Sequence, residues 1–319
     1  MIILEYYNIN YQHDPIRNFN LHKYKNLLND DYVLVNGLGN SFGKYLHNHL
    51  YEMPIIKKYH RQGKKIMYMA FEEGNNFYPN YFKDNQKLCK FEEIAHKIFT
   101  ICPYTANYLN KRYNNNKRVH IPFFFSEDFI TKDFSKDIEI IYTGGFTQRT
   151  KELNEFLPLY DVYNIMKNYN YCWLGGIIQN YSDKTYQGKI NLYSRSKIAV
   201  VHNVLVANYS LDFETKNLEH FKYHSTHKLV PQMKSRTFEA AFNKCILLAF
   251  KDPYSTIENF FEEKKDFLYW SNKQELENLV KNILENYDDY KYLSENAYKK
   301  SIKNYTTEIF FKKYILNNR

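Results

Sequence analysis

Met233-Lys234-Ser235-Arg236-Thr237-Phe238-Glu239-Ala240-Ala241-Phe242-Asn243-Lys244-Cys245-Ile246-Leu247-Leu248 reads as a helix that runs into a strand. Phe238, Ala241 and Phe242 fall on one apolar face at helical spacing, and Ser235 is a fair N-cap ahead of them. Cys245–Phe250 continue as an apolar, strand-like run. The amino end of such a helix presents free N–H groups and the positive end of its dipole, which suits a diphosphate. Arg236 adds a fork of donors for phosphate oxygens. Glu239 stands one turn further in, facing the same cleft, where a carboxylate can accept both hydroxyls of a ribose. The plainer alternative is a surface Arg–Glu pair at i, i+3.

Outward from this stretch, the second half predicts strands at Ile138–Thr143, Tyr171–Leu174, Lys197–His202 and Phe267–Tyr269. Helices are expected at Lys151–Lys167, Ser235–Asn243, Lys273–Asn286, Asp289–Asn304 and Glu308–Leu316. The first half predicts strands at Met1–Leu4, Tyr32–Asn36, Lys65–Ala70, Ile98–Cys102 and Arg118–Ile121. Its helix-like segments are Ile16–Leu28, Lys44–Arg61, Phe91–His96 and Tyr104–Tyr113. Strands alternating with helices at this spacing imply parallel α/β sheets. The pattern loosens around Pro122–Lys136, which places a boundary near residue 130 and gives domains 1–130 and 131–319. Val204–Leu229 shows no period and reads as a long functional loop. In open α/β sheets ligands bind beyond the carboxyl ends of the strands, which singles out His13-Asp14, Gly37–Phe42, Glu72-Glu73, Gly144–Arg149 and the helix start at Ser235.

The run Lys234–Leu248, with Phe260-Phe261-Glu262-Glu263-Lys264-Lys265-Asp266, Gln274-Glu275-Leu276 and the ending Ala297–Thr306, resembles the C-terminal half of group 1 (family 4-like) glycosyltransferases. Within them it is most similar to the branch typified by the spore-maturation protein CgeB, whose members carry an S-R-x-F-E-A helix. The resemblance covers roughly residues 137–316 and is architectural before that. It implies a GT-B fold, with two Rossmann-like domains whose parallel sheets face a central cleft, and a nucleotide-sugar donor held by domain 131–319. The last helix is then expected to pack back on domain 1–130, the acceptor side. Glu239 matches the glutamate that holds the donor ribose, and Arg236 the arginine near the phosphates. The family pattern often has another glutamate seven residues earlier, near the sugar, where this chain has Gln232.

A second constellation is Thr143-Gly144-Gly145-Phe146-Thr147-Gln148-Arg149. Gly144 and Gly145 let the backbone approach a ligand, Thr147 lies on the same turn, and Arg149 can neutralise phosphate charge. An ordinary βα turn with an exposed arginine is the plainer reading. Gly37-Leu38-Gly39-Asn40-Ser41-Phe42-Gly43-Lys44 fails as a Walker A loop, since its spacing is short and Tyr45 replaces the Ser/Thr. Gly39–Gly43 does fit the G-x-S-x-G nucleophile elbow, although only one strand precedes the strand feeding Ser41. A glycine loop facing donor or acceptor, with Gly39 in it, is preferred. Glu72, Glu73 and His13 are candidate bases or acceptor contacts, each competing with a solvent-exposed loop position.

No D-x-D occurs among the 14 Asp, and there is no HExxH or Cys/His cluster, so no metal is expected. His220, His224 and His227 have helical spacing but irregular, polar surroundings. The four cysteines, Cys89, Cys102, Cys172 and Cys245, form no CxxC and read as buried reduced thiols. Hydrophobic residues at 44% and aromatics at 18% argue against global disorder. Mean hydropathy is −0.64, a value depressed by 32 tyrosines that still bury ring surface. No 18-residue apolar stretch exists, so no integral membrane segment is expected. Met1–Tyr6 turns polar too soon for a secretory signal, and a cytoplasmic location is the expectation.

Net charge is +9, with residues 1–130 carrying 17 basic against 12 acidic groups and the remainder 27 against 23. An excess this evenly spread favours small anionic ligands, or weak contact with an anionic polymer, over a dedicated nucleic-acid module. The function implied by the resemblance to group 1 glycosyltransferases is transfer of a hexose from a UDP- or GDP-linked donor, acting as co-substrate with no tightly bound cofactor. The outcome is expected to be retaining and metal-independent, and the acceptor a saccharide, a protein or modified DNA. The alternatives are a non-catalytic nucleotide-sugar-binding protein of the same fold and a serine hydrolase using Ser41.

Overall fold

The computed structural model describes residues 1–5, 20–27, 30–36, 54–69, 94–101, 103–130, 134–147, 150–151, 154–155, 157–183, 185–206 and 229–316. In the first half, strands β1 (Ile2–Glu5), β2 (Tyr32–Asn36), β3 (Lys65–Met69), β4 (Ala95–Thr100) and β5 (Arg118–His120) form one parallel sheet in sequential order. Helix α1 (Pro54–Arg61) packs Ile56 onto one face, among Val33, Val35, Ile66, Tyr68 and Ile98. Helix α2 (Pro103–Arg112) leads from β4 to β5, and Asn110 clasps the backbone of Arg118 from both sides, at 2.9 Å each. The reading of Phe91–His96 as a helix is corrected from Ala95 onward. Pairing with β3 extends the strand back to Ala95 through a bulge, and this tertiary pairing overrides a weak local pattern.

The second sheet contains β6 (Ile138–Thr143), β7 (Tyr171–Leu174), β8 (Ser196–Val201), β11 (Ile246–Phe250) and β12 (Phe267–Trp270). All its pairings are parallel and its order is β7-β6-β8-β11-β12. Counted within the sheet, this is 2-1-3-4-5, the doubly wound order whose direction reverses between the first and third strands. The strands are mostly apolar because both faces are covered, with Glu139, Ser196 and Lys197 near the starts of β6 and β8. Their period of two sorts Ile140, Tyr142, Trp173, Ile198, Ile246 and Leu248 to one core and Ile141, Cys172, Leu174, Ala199, Leu247 and Ala249 to the other.

Helices α3 (Leu159–Met166) and α6 (Lys273–Glu285) cover the first of these faces, while α4 (Tyr186–Arg195) and α5 (Ser235–Phe242) cover the second. The helix expected over Lys151–Lys167 begins only at Leu159. Pro158 cannot donate within a helical ladder but fits at its entry, and Asn154 Oδ1 accepts from the N–H groups of Tyr160 and Asp161 there. Short strands β9 (Val204–Val206) and β10 (Leu229–Pro231) pair antiparallel at the two ends of the stretch read as a loop. The chain finishes with α7 (Tyr287–Asn304) and α8 (Thr307–Phe310), the latter continuing as a π turn over Phe311–Leu316.

This C-terminal segment crosses to the first sheet. Phe125 N–H donates to the Tyr305 carbonyl and Thr307 N–H to the Phe125 carbonyl, at 3.1 and 2.9 Å. Phe310 stacks on Phe124 and meets Phe99 edge-on, and Phe311 stacks on Tyr24. Among the described residues no helix is long and apolar enough to cross a membrane.

Candidate functional site

The carboxyl ends of β6 and β8 lie side by side where the strand order of the second sheet reverses, the place at which open α/β sheets form a ligand crevice. Tyr142, Thr143 and Gly144 come from the end of β6, and His202 and Asn203 from the end of β8. The amino end of α5 arrives over both. Three chain segments distant in sequence therefore supply one cluster of polar side chains.

Arg236 is held there in a cradle of acceptors. Its Nη1 lies 3.0 Å from Tyr142 Oη and 3.1 Å from His202 Nε2. Its guanidinium also sits over the Tyr142 ring, 5.4 Å from the centroid. Tyr142 Oη and His202 Nδ1 are 2.9 Å apart, with the rings stacked. Burial, and then the charges of Arg236 and Lys234, hold the His202 imidazole well below its usual value, so it is neutral. Burial pushes the Tyr142 phenol up. Gly144 leaves the room for this arrangement, because a Cβ there would come within 2.7 Å of Arg236 Nη1 and 2.8 Å of Tyr142 Oη.

Glu239, one turn along α5, is 1% exposed. Lys189 Nζ from α4 lies 2.6 Å from its Oε2, an ion pair that falls outside hydrogen-bond alignment. Among the described residues neither carboxylate oxygen has a hydrogen-bond donor. A buried polar atom without a partner is costly and calls for an explanation, an unmade ligand contact among them. Tyr193 of α4 stands beside the carboxylate, its hydroxyl 2.6 Å from Thr143 Oγ1, and burial together with the Glu239 charge pushes that phenol well up.

The amino end of α5 starts differently from the sequence reading. Lys234 occupies the N-cap and gives no side-chain capping hydrogen bond, which makes Ser235 the first helical residue instead of the cap. Asn203 organises the end from outside the helix, its Oδ1 accepting from Lys234 N–H at 3.0 Å and from Thr237 Oγ1 at 2.9 Å. The first N–H groups of α5 thus face the crevice without a side-chain cap of their own. Gln232 is buried, and its Oε1 accepts from Lys234 Nζ.

Of the expected site residues, Arg236, Glu239, Ser235 and Gly144 gather at this crevice. Gly145 and Thr147 follow on the turn after β6, where Thr147 N–H donates to Thr150 Oγ1 at 2.8 Å. Arg149, Gly39, His13, Glu72, Glu73, Ser41 and the histidines 220, 224 and 227 lie outside the described residues. Among the described residues no group of three or more His, Cys, Asp or Glu is placed to hold a metal ion. Cys172 and Cys245 are buried free thiols, raised by burial to about 12 and about 11. Cys89 and Cys102 lie outside the described residues.

The sequence reading missed Tyr142, His202, Asn203, Lys189 and Tyr193. Helix α4 had a usable signal, since Tyr186, Ile190 and Tyr193 repeat at steps of four and three behind the cap Thr185. His202 and Asn203 follow directly on an apolar strand, a position that marks strand-end ligand contacts in open sheets.

Residues 178–314 match a family model described as glycosyl transferase-like. No curated protein sequence matches the chain. Among solved structures, HepE of Anabaena in complex with UDP-glucose is similar at a TM-score of 0.56 and 9% identity, over 99% of this chain and 98% of its own. TarM of S. aureus, in complex with fondaparinux, alpha-GlcNAc-glycerol and UDP, gives 0.54 at 14% identity over 93% of this chain. Sucrose-phosphate synthase of Thermosynechococcus elongatus gives 0.53 at 12% identity, over 95% of this chain and 76% of its own. The chain spans 57% of the length of TarM. These likenesses are ones of fold. The protein has the GT-B architecture, two parallel five-stranded sheets flanked by helices, and its residues 178–314 are similar to the glycosyl transferase-like family.

Proposed function

We propose that the protein transfers a hexose from a UDP- or GDP-linked donor to an acceptor hydroxyl, and that the crevice at the ends of β6 and β8 is the donor site. The observation that carries this is Glu239, a buried carboxylate with no hydrogen bond on either oxygen, one helical turn from an arginine at an open helix amino end. A ribose supplies the two hydroxyl donors that the carboxylate lacks, and a diphosphate supplies the anion that the helix end and Arg236 favour. HepE and TarM, which share the fold, were crystallised with UDP-containing ligands, and that supports the reading.

In this reading residues 131–319 form the donor domain and residues 1–130 the acceptor domain, within the CgeB-type branch of group 1 glycosyltransferases. Departure of the nucleoside diphosphate leaves developing negative charge on the β-phosphate. Arg236 and the α5 amino end stabilise it as preorganised positive charge, to which the charge of Arg149 is expected to add, and this lets the reaction proceed without a metal ion. His202 and Tyr142 keep the Arg236 guanidinium facing the crevice. Retention of configuration needs no dedicated side-chain base; an inverting reaction would draw one from Glu72, Glu73 or His13. The acceptor is a saccharide, a protein or modified DNA, and the even spread of basic charge gives DNA the least support.

The test is donor turnover. The purified chain, offered UDP- and GDP-sugars, should release nucleoside diphosphate, and Arg236→Ala and Glu239→Ala should each cut that release sharply. Wild-type turnover in both variants would remove the site assignment. A second reading, nucleotide-sugar binding without turnover, draws on Gln232 standing where the family often has a glutamate. Binding across a donor panel with no release would favour it.

A further inference from the structure

The ion pair between Lys189 and Glu239 is incomplete in a way that a purely structural pair is not. Both side chains are nearly sealed from solvent, at 10% and 0% exposure. Buried pairs recover the cost of desolvation when their remaining lone pairs and N–H groups are satisfied by further hydrogen bonds. Here the contact is 2.6 Å long, yet both Glu239 oxygens lack an aligned donor. Among the described residues the ammonium forms no hydrogen bond, and it lies over the Tyr186 ring, 5.8 Å from the centroid. Lys189 is well anchored, since α4 starts on the Thr185 cap, whose Oγ1 accepts from Gly188 N–H. A rigid helix thus delivers a cation to a carboxylate and leaves that carboxylate's hydrogen-bonding capacity open.

Resting on the donor-site reading above, we propose that Lys189 is a positioning residue: its ammonium offsets the buried charge of Glu239 and fixes the carboxylate for the two hydroxyls of a donor ribose. Without the cation, Glu239 would be an uncompensated buried charge, and it would turn away, draw in water or take up a proton. A protonated carboxyl keeps one good acceptor oxygen where the ribose offers two donors. Lys189 touches the ligand only through Glu239, so its effect should be confined to the ribose hydroxyls and leave base and phosphate contacts intact.

That confinement gives the test. Binding of UDP and GDP to the full chain is compared with binding of their 2′-deoxy counterparts by titration calorimetry, with Lys189→Met, Lys189→Arg, Glu239→Gln and the double variant Lys189→Met/Glu239→Gln. The wild type should prefer the ribonucleotide by about tenfold or more, the size expected when a buried partner is left unpaired. Lys189→Met should erase most of that preference, Lys189→Arg should restore a good part of it, and Lys189→Met should add nothing within Glu239→Gln. If Lys189→Met does not fold, Lys189→Gln takes its place. Equal weakening of ribo- and deoxyribonucleotides by Lys189→Met, or an unchanged preference, would overturn the positioning role while leaving the donor site standing. An undiminished preference in Glu239→Gln would overturn the donor-site reading itself, and this proposal with it.

Discussion

Arg236 Nη1 stands 3.1 Å from Nε2 of His202, an imidazole that burial keeps neutral. A guanidinium has no acceptor, so the ring nitrogen facing it must offer a lone pair. A protonated ring would repel the arginine and aim a donor at a donor. His202 therefore acts on the crevice by holding Arg236, and replacing it should loosen the guanidinium without removing it. His202→Phe is expected to weaken nucleoside diphosphate binding about tenfold, in keeping with loss of one hydrogen bond to a charged group. The monophosphate should lose less. Titration of UDP against UMP checks this, and equal losses for both would detach His202 from phosphate recognition.

Gly144 and Gly145 are neighbours with opposite surroundings. A methyl group at Gly144 would enter the space held by Arg236 Nη1 and Tyr142 Oη, whereas one at Gly145 meets nothing within 4 Å. Gly144→Ala should push Arg236 from its cradle and lower donor turnover at least as much as His202→Phe. Gly145→Ala should leave turnover within about twofold of wild type, as expected of a surface substitution away from special features. Steady-state kinetics on the two variants is sufficient. Comparable activity in both would mean that the cradle geometry is not used in catalysis.

The second sheet was legible because its strands are largely buried on both faces and so read as mostly apolar runs, from Ile138–Thr143, broken by Glu139, to Phe267–Trp270. Arg236 and Glu239 were legible because an amphipathic helix fixes which residues share a turn. Their partners were not. Tyr142, His202 and Lys189 lie 94, 34 and 50 residues from the groups they serve, and local periodicity says nothing about which strand ends meet. The strand order that brings β6 beside β8 is set by packing of whole βα units. Pairing also decided β4, whose first residues carry a weak helical pattern and extend only because β3 lies alongside.

His120 ends β5 with Nε2 buried and without a hydrogen bond, against the ring of Phe260. Burial lowers its value from 6.5 to about 4, against a partial opposing effect of the Ile101 carbonyl. The sign follows from linkage. Between pH 6.5 and 4 the unfolded chain binds a proton at this residue and the folded chain does not, so the neutral ring's contribution is complete above pH 6.5 and lost as pH falls toward 4. A single such group costs on the order of 1.4 kcal/mol per pH unit across that window, and His202, lowered in the same direction, adds to the slope. Urea unfolding from pH 7 to pH 4.5 should show this loss, and His120→Phe should flatten part of it. An unchanged slope in His120→Phe would place the acid sensitivity elsewhere.

Phe310 lies flat on Phe124, with centroids 4.0 Å apart and planes 9° from parallel, and it meets Phe99 edge-on at 5.3 Å. With the backbone bonds between Phe125 and residues 305 and 307, these rings fasten the C-terminal segment, which follows the second sheet, to the first. Phe310 is 2% exposed, so Phe310→Ala leaves a cavity where no solvent group can compensate. The expected loss is about 3–5 kcal/mol, against under about 1.5 kcal/mol for Phe310→Leu. One face of the second sheet shares the cluster that holds Phe124 and Phe310, while its other face keeps a separate core of Ile140, Trp173, Ile198 and Trp270. Phe310→Ala should therefore weaken the first half more than the second, and urea unfolding should separate into two transitions where the wild type shows closer coupling. Hydrogen exchange assigns them: amides of β1 to β5 should lose protection before those of β6, β8 and β11. A single transition with uniformly reduced protection would mean that the aromatic stack stabilises the chain as one unit and does not act as the fastening between its halves.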